Sequence, residues 1–158
     1  VSNISNIATF NCKDEQALSR LAVLLAPLLQ PPDCVLLNGD LGAGKTTFAR
    51  ALIRERASDA TLRVPSPTFT LLQPYDFEDG SVHHYDLYRI EHPDELLEIG
   101  FEDSLERAIT LVEWPQKAPN DMPPQSLEIV IEDCGGSTRR LLLNGHISWQ
   151  TRLETMHG

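Results

Sequence analysis

Residues 39–46 read Gly39-Asp40-Leu41-Gly42-Ala43-Gly44-Lys45-Thr46 and satisfy G-x-x-x-x-G-K-[S/T] at every position. These residue types at this spacing suit a polyphosphate. Several backbone N–H groups converge on one anion only where glycines let the chain curl tightly. The start of a following helix adds partial positive charge. Lys45 brings a full charge to the β- and γ-phosphate oxygens. The Thr46 hydroxyl suits Mg²⁺, which takes octahedral oxygen ligands. Asp40, Leu41, Gly42, Ala43, Gly44, Lys45, Thr46 and Thr47 are therefore the candidate nucleotide-binding residues. A dinucleotide fold is a poor alternative, because Thr47 stands where its third glycine belongs.

Such a loop needs an acidic partner for the cation, usually at the end of an apolar strand. Two residues qualify. Asp86 ends Val82-His83-His84-Tyr85, and Glu113 ends the more apolar Ile109-Thr110-Leu111-Val112. The two roles can coexist. In Ser66-Pro67-Thr68-Phe69-Thr70, a threonine hydroxyl could sense a γ-phosphate and its cation, as switch loops do. The same stretch also reads as a proline-stiffened strand entry. His83 and His84 are adjacent, so on a strand they face opposite ways and cannot chelate one ion together. Trp114, between Glu113 and Pro115, reads as packing at a strand end.

The elements that would position these groups follow the order β-α-β-α, then a hairpin and further strands. Residues 4–10 alternate loosely as a strand, and Asn11 is a candidate helix cap. Leu18, Leu21, Ala22, Leu25, Leu28 and Leu29 recur at helical spacing until Pro31-Pro32. Residues 34–37 form a short apolar run of the central-strand kind. A helix is expected from about Lys45 to Arg56. Residues 69–72 and 82–88 read as an antiparallel hairpin around a turn at 78–81. Short helices are expected at 94–99, stopped by Gly100, and at 102–108. Strands are expected at 109–112, 127–131 and 140–143, and a last helix at 148–156. The whole chain, residues 1–158, is expected to be one α/β domain: a P-loop nucleotide-binding fold with a mixed parallel and antiparallel sheet flanked by helices.

Composition narrows the function classes. The net charge is −10, from 23 acids and 13 bases, which disfavours direct tRNA or DNA binding because phosphate contacts need a basic footprint. Residues 75–106 hold eleven acids and one base, Arg89, so the excess is concentrated there. That stretch is either a solvated face or a docking surface for a basic partner. Aromatic residues, at 6%, are too few for a base-stacking platform. No apolar run approaches the length of a membrane span, and residues 1–10 carry neither a basic start nor an apolar signal core. Cys12, Cys34 and Cys134 fit no zinc spacing and read as reduced thiols of a cytoplasmic protein.

Taken together, the loop at 39–47, Ser66-Pro67-Thr68-Phe69-Thr70-Leu71, Tyr85-Asp86-Leu87-Tyr88-Arg89 and Val112-Glu113-Trp114-Pro115 resemble the TsaE (YjeE) family over about residues 14–140. That family comprises small bacterial ATPases of tRNA threonylcarbamoyladenosine biosynthesis. The resemblance implies ATP or ADP as ligand, phosphate binding by Lys45, and Mg²⁺ held by Thr46 and Glu113. It implies switch-like and Walker B-like roles for Thr68 and Asp86, and a place near the nucleotide for Glu15. It implies work with a TsaB–TsaD pair, which transfers the threonylcarbamoyl group to adenosine 37, while ATP hydrolysis resets the complex. The chain departs from the family after Gly135-Gly136, where Ser137 and Thr138 precede Arg139 and Arg140, so neither arginine is assigned to the nucleotide. A guanine-specifying N-K-x-D is absent, and the acidic middle lacks the arginines of a small-molecule kinase lid. A nucleotide-sensing module that switches an assembly without turnover is the alternative from another class.

Overall fold

A computed structural model describes residues 4–156. The single-domain expectation at residues 1–3 and 157–158 lies outside the described residues. Seven strands among those described form one sheet: β1 (Ile4–Cys12), β2 (Cys34–Asn38), β3 (Leu72–Phe77), β4 (Gly80–Asp86), β5 (Ile109–Glu113), β6 (Leu127–Asp133) and β7 (Arg139–His146). Their order is β1-β7-β6-β2-β5-β4-β3. β2 runs parallel to β5 and β6, and β4 runs parallel to β5. The outer pairs β3–β4, β6–β7 and β1–β7 are antiparallel. This is the mixed α/β sheet expected from the sequence.

The central strands are apolar because both faces are covered. Helices α1 (Glu15–Leu25) and α2 (Lys45–Ala57) bury Leu18, Leu21, Leu25, Phe48, Leu52 and Ile53 against Val35, Leu37, Leu111 and Ile129. On the other face, α3 (Glu95–Glu98) and α4 (Phe101–Arg107) bring Leu96 and Phe101 onto Tyr85 and Val112. Tyr85 and Phe101 meet edge to face at 5.0 Å. The final helix, α5 (Ser148–Leu153), adds Trp149 and Leu153 to the first cluster.

Three expectations are corrected. Asn11 does not cap α1: it stays in β1 opposite Arg140, and Asp14 is the cap, accepting from the Ala17 N–H at 2.9 Å. Residues 69–71 are not strand. The Leu71 N–H returns to the Pro67 carbonyl at 2.8 Å, and Leu71 has φ +67°, so β3 starts only at Leu72. The first helix stops as an α-helix at Leu25 and finishes as a 3₁₀ turn at Ala26–Leu28, because Pro27 has no N–H to continue the ladder. α2, the turn between β3 and β4, α3 and α4 form within a residue or two of their expected places. No helix among the described residues is long and apolar enough to cross a membrane.

Candidate functional site

The loop between β2 and α2 stands at the carboxyl end of the parallel strands. Two glycines there are dictated by contact. A Cβ on Gly39 would lie 2.8 Å from the Ile131 carbonyl oxygen. Gly44 precedes α2 at φ +121°, and a Cβ there would strike Leu18 Cδ2 at 2.6 Å. The loop is thus wedged between β6 and α1. Its amides meet the start of α2, whose first N–H groups have no intrahelical acceptor.

A cavity of about 300 Å³ opens over this loop. Leu41, Gly42, Gly44, Lys45, Thr46 and Thr47 line one side; Thr68, Asp86 and Glu113 line the other. Four separate stretches of chain therefore deliver the predicted residues to one place. The register explains how: β4 and β5 are parallel neighbours with Asp86 opposite Glu113, so both acids end at the same rim. Both acids face the cavity.

Lys45 is 5% exposed. Its Nζ donates to the carbonyls of Gly39 at 2.5 Å and Asp40 at 2.8 Å, and lies 4.2 Å from the Trp114 ring centroid. Burial pushes its ammonium pKa down, while the charges of Glu113, Asp86 and Asp40 oppose that. Asp86 is a hub: Oδ2 accepts from the Thr68 hydroxyl at 2.9 Å and Oδ1 from the Tyr88 N–H at 3.0 Å. Ser66 Oγ lies 2.7 Å from Thr68 Oγ1. Ser66 and Thr68 face the cavity, in the stretch that leads into β3 at Leu72.

Glu113 is 2% exposed. The Thr46 hydroxyl lies 2.9 Å from its Oε1 and 3.0 Å from its Oε2. Two oxygens bound cis on an octahedral ion at about 2.1 Å stand about 3 Å apart. The Thr46–Glu113 oxygen spacing thus fits two ligands of one Mg²⁺ once the hydroxyl hydrogen turns away from the carboxylate.

Other candidates lie apart. Glu15, Gly42, Ala43, Gly44, Thr47, Ser137 and Arg139 line a smaller cavity of about 90 Å³ on the α1 side of the loop. Asp40 lines neither cavity; its carbonyl oxygen receives Lys45 and the Ala43 N–H.

Sequence reasoning missed three residues. His84 is fully buried, and its Nε2 lies 2.7 Å from Glu113 Oε2. Its position two residues before Asp86 on a strand was the available signal, since i and i+2 share a face. Trp114 was read as strand-end packing; at φ +60° it turns across the cavity, against Lys45 and 4.9 Å from Tyr88. Arg139 reaches the loop from behind, donating to the Ala43 carbonyl at 2.8 Å, whereas Arg140 pairs with exposed Glu132 at 2.6 Å.

The family described as threonylcarbamoyl adenosine biosynthesis protein TsaE matches residues 12–141. A tRNA threonylcarbamoyladenosine biosynthesis protein TsaE of Rickettsia felis is 44% identical over 119 residues, 75% of this chain and 69% of that protein. The protein of the same name from Bacillus subtilis is 34% identical over 134 residues, 84% of this chain and 80% of that one. The crystal structure of Bacillus subtilis YdiB superimposes with a TM-score of 0.76 at 25% identity, covering 96% of this chain and 93% of that one. Motif order, sheet and relatives agree: the chain belongs to the TsaE family and, with it, to tRNA threonylcarbamoyladenosine biosynthesis.

Proposed function

We propose that the chain binds ATP and ADP and hydrolyses ATP slowly in the presence of Mg²⁺, and that this turnover serves a cytoplasmic TsaB–TsaD pair that modifies adenosine 37 of tRNA. The observation that carries this reading is the single cavity in which Lys45, Thr46, Thr68, Asp86 and Glu113 meet.

The chemistry follows from the groups present. Water attacks the γ-phosphorus, the bond to the β–γ bridging oxygen breaks, and ADP and phosphate leave. The loop amides and Lys45 sit where negative charge spreads over the phosphoryl oxygens. Lys45 leaves the Gly39 and Asp40 carbonyls for stronger, charge-assisted bonds to phosphate. Bound Mg²⁺ would neutralise charge on the β- and γ-oxygens, with Thr46 and Glu113 as its protein ligands. Thr68 is tied to Asp86, so a phosphate contact at Thr68 is transmitted to the end of β4.

Arg89 lines the cavity but lies 4.5 Å over the ring of Phe69, itself 81% exposed, at the outer rim. With no second cation among the described residues aimed at the transferred group, turnover by the chain alone should be slow, since an added arginine is worth about 10³–10⁵ in rate. The acidic stretch at 75–106 is the surface assigned to the partner, which leaves tRNA contact to the partners. The buried, unbonded thiols of Cys12 and Cys34 suit a reducing compartment.

The test is turnover of radiolabelled ATP with Mg²⁺, with and without the TsaB–TsaD pair. Slow turnover that the pair raises, and that Lys45→Ala abolishes, is expected. Tight ATP binding without turnover in either condition would replace the ATPase with a nucleotide-sensing module. For the docking surface, reversal of exposed Glu98, Glu102 and Glu106 should weaken association with the pair. Glu95 is unsuitable, because its Oε2 caps the N–H groups of Glu91 and His92. Unchanged association would remove the acidic face from the interface.

A further inference from the structure

We propose that His84 is a positioning residue for Glu113: its imidazole holds Oε2 of the carboxylate and leaves Oε1, beside the Thr46 hydroxyl, as the oxygen offered to a divalent cation. The inference rests on the reading of Thr46 and Glu113 as cation ligands.

Strand register places the ring. β4 and β5 are parallel, with His84 opposite Leu111 and Asp86 opposite Glu113. Alternation along each strand puts His84, Asp86, Leu111 and Glu113 on one face. The imidazole therefore stands one step behind the carboxylate, on the interior side of the rim. His83 points to the opposite face, where its Nδ1 lies 2.6 Å from Ser104 Oγ. The two adjacent histidines thus serve different layers, and of the two only His84 reaches Glu113.

A carboxylate that holds a cation is ionised and only accepts, so in that state Nε2 carries the hydrogen in the 2.7 Å contact with Oε2. The Thr46 hydroxyl lies near both oxygens but has one hydrogen, so it cannot hold both. With Oε2 taken by the ring, the carboxylate plane is fixed and Oε1 faces the hydroxyl. Donors behind a ligand that fix its orientation are a general feature of metal sites.

Packing alone does not explain the ring. His84 is 0% exposed, and its Nδ1 has no partner among the described residues. An apolar side chain would fill that space without a buried idle nitrogen. The contact with Glu113 is the one polar interaction made by the His84 ring among the described residues.

The test is calorimetric titration with ADP, once with Mg²⁺ and once with EDTA, on the whole chain and four variants. Glutamine places its amide nitrogen near the Nε2 position, whereas asparagine reaches only the Nδ1 position. His84→Gln should keep the Mg²⁺-dependent gain in ADP affinity within about twofold of the unsubstituted chain. His84→Asn should lose about 10- to 100-fold of that gain. In EDTA both variants should bind ADP like the unsubstituted chain. If His84→Asn melts below the assay temperature, His84→Leu fills the same space without a donor and should show the same loss. Equal losses with and without Mg²⁺ would make the role merely structural and overturn the proposal. An unaltered gain in His84→Asn, or equal losses in the Gln and Asn variants, would overturn it too. Glu113→Gln separates the underlying reading: if it keeps the Mg²⁺ gain, Glu113 is not a ligand, and the proposal falls with that assignment.

Discussion

Thr46 and Glu113 are 67 positions apart in the chain, and the hydroxyl of one lies within 3.0 Å of both carboxylate oxygens of the other. The contact joins the first turn of α2, the helix that follows β2, to the end of β5, the parallel neighbour of β2. It has the spacing of two oxygens sharing an octahedral ion. Glu113→Gln keeps the shape but removes the charge. We expect Mg²⁺-dependent ATP turnover to fall about 100-fold or more, with ADP affinity in EDTA unchanged. Phosphate-release kinetics across a Mg²⁺ titration measure this. Turnover at the unsubstituted level would remove Glu113 from the cation.

Lys45 is held by two carbonyls and an aromatic face, so its ammonium is poised in place before any ligand arrives. Its burial lowers the cost of moving it onto phosphate, because little water has to be stripped from it at that moment. Lys45→Ala should weaken ADP binding by about 10- to 150-fold, the worth of a charged hydrogen bond. Trp114→Leu should cost about 30-fold at most, the worth of a desolvated cation–π contact of about 2 kcal/mol, and no more than Lys45→Ala. Equilibrium binding of a fluorescent ADP analogue decides the order. If Trp114→Leu binds worse than Lys45→Ala, the ring contacts the nucleotide itself.

The glycine-rich loop, its helix and the two acidic strand ends were legible in the sequence because each is a local pattern. The loop is a fixed spacing, α2 follows from it directly, and Glu113 ends an uninterrupted apolar run. What the sequence could not show is lateral placement. That Asp86 and Glu113 are register partners depends on β4 lying beside β5, a pairing of residues 27 positions apart. The same non-local fact decides that His84 reaches Glu113. The start of β3 was misplaced for a different reason: residues 69–72 have strand-forming types, but Thr68 is pulled to Asp86 and Leu71 turns to positive φ. Tertiary hydrogen bonding overrode propensity there.

Arg139 ties the far end of the sheet to the loop. Its Nε donates to the Ala43 carbonyl, and its Nη1 donates to Gly136 at 2.8 Å, Thr138 at 3.0 Å and Asp133 at 3.1 Å. Turning loop carbonyls outward to an arginine leaves the amides free to face an anion. Arg139→Ala leaves those carbonyls unpartnered and should cost about 2 kcal/mol. For a chain of this size that corresponds to roughly 4–8 °C in melting temperature. ADP affinity should fall in parallel, because ordering the loop then opposes binding. Thermal melting of Arg139→Ala and Arg140→Ala side by side is the measurement. Arg140 pairs only at the surface, so its variant should melt within about 1–2 °C of the parent. Equal melting of the two would refute the brace.

His83 supplies a pH dependence that is independent of the cavity. Its Nδ1 meets Ser104 Oγ at 2.6 Å, joining β4 to α4, and Tyr85 reaches the same hydroxyl at 2.7 Å. Burial pushes the imidazole pKa below its ordinary value of 6.5, against the weaker opposing pull of Asp76 and Asp103. The folded chain thus takes up the proton less readily than the unfolded chain. Stability from this group is complete above the ordinary value and declines as pH drops from about 6.5 toward the lower folded value. His83→Asn places an amide at the Nδ1 position and has no proton to take up. Between about pH 7.5 and 5.5 the parent should lose more melting temperature than the Asn variant, and the difference should vanish above pH 7.5. Parallel melting curves across that range would show that His83 is not desolvated. The contact with Ser104 would then hold β4 against α4 at no cost on acidification.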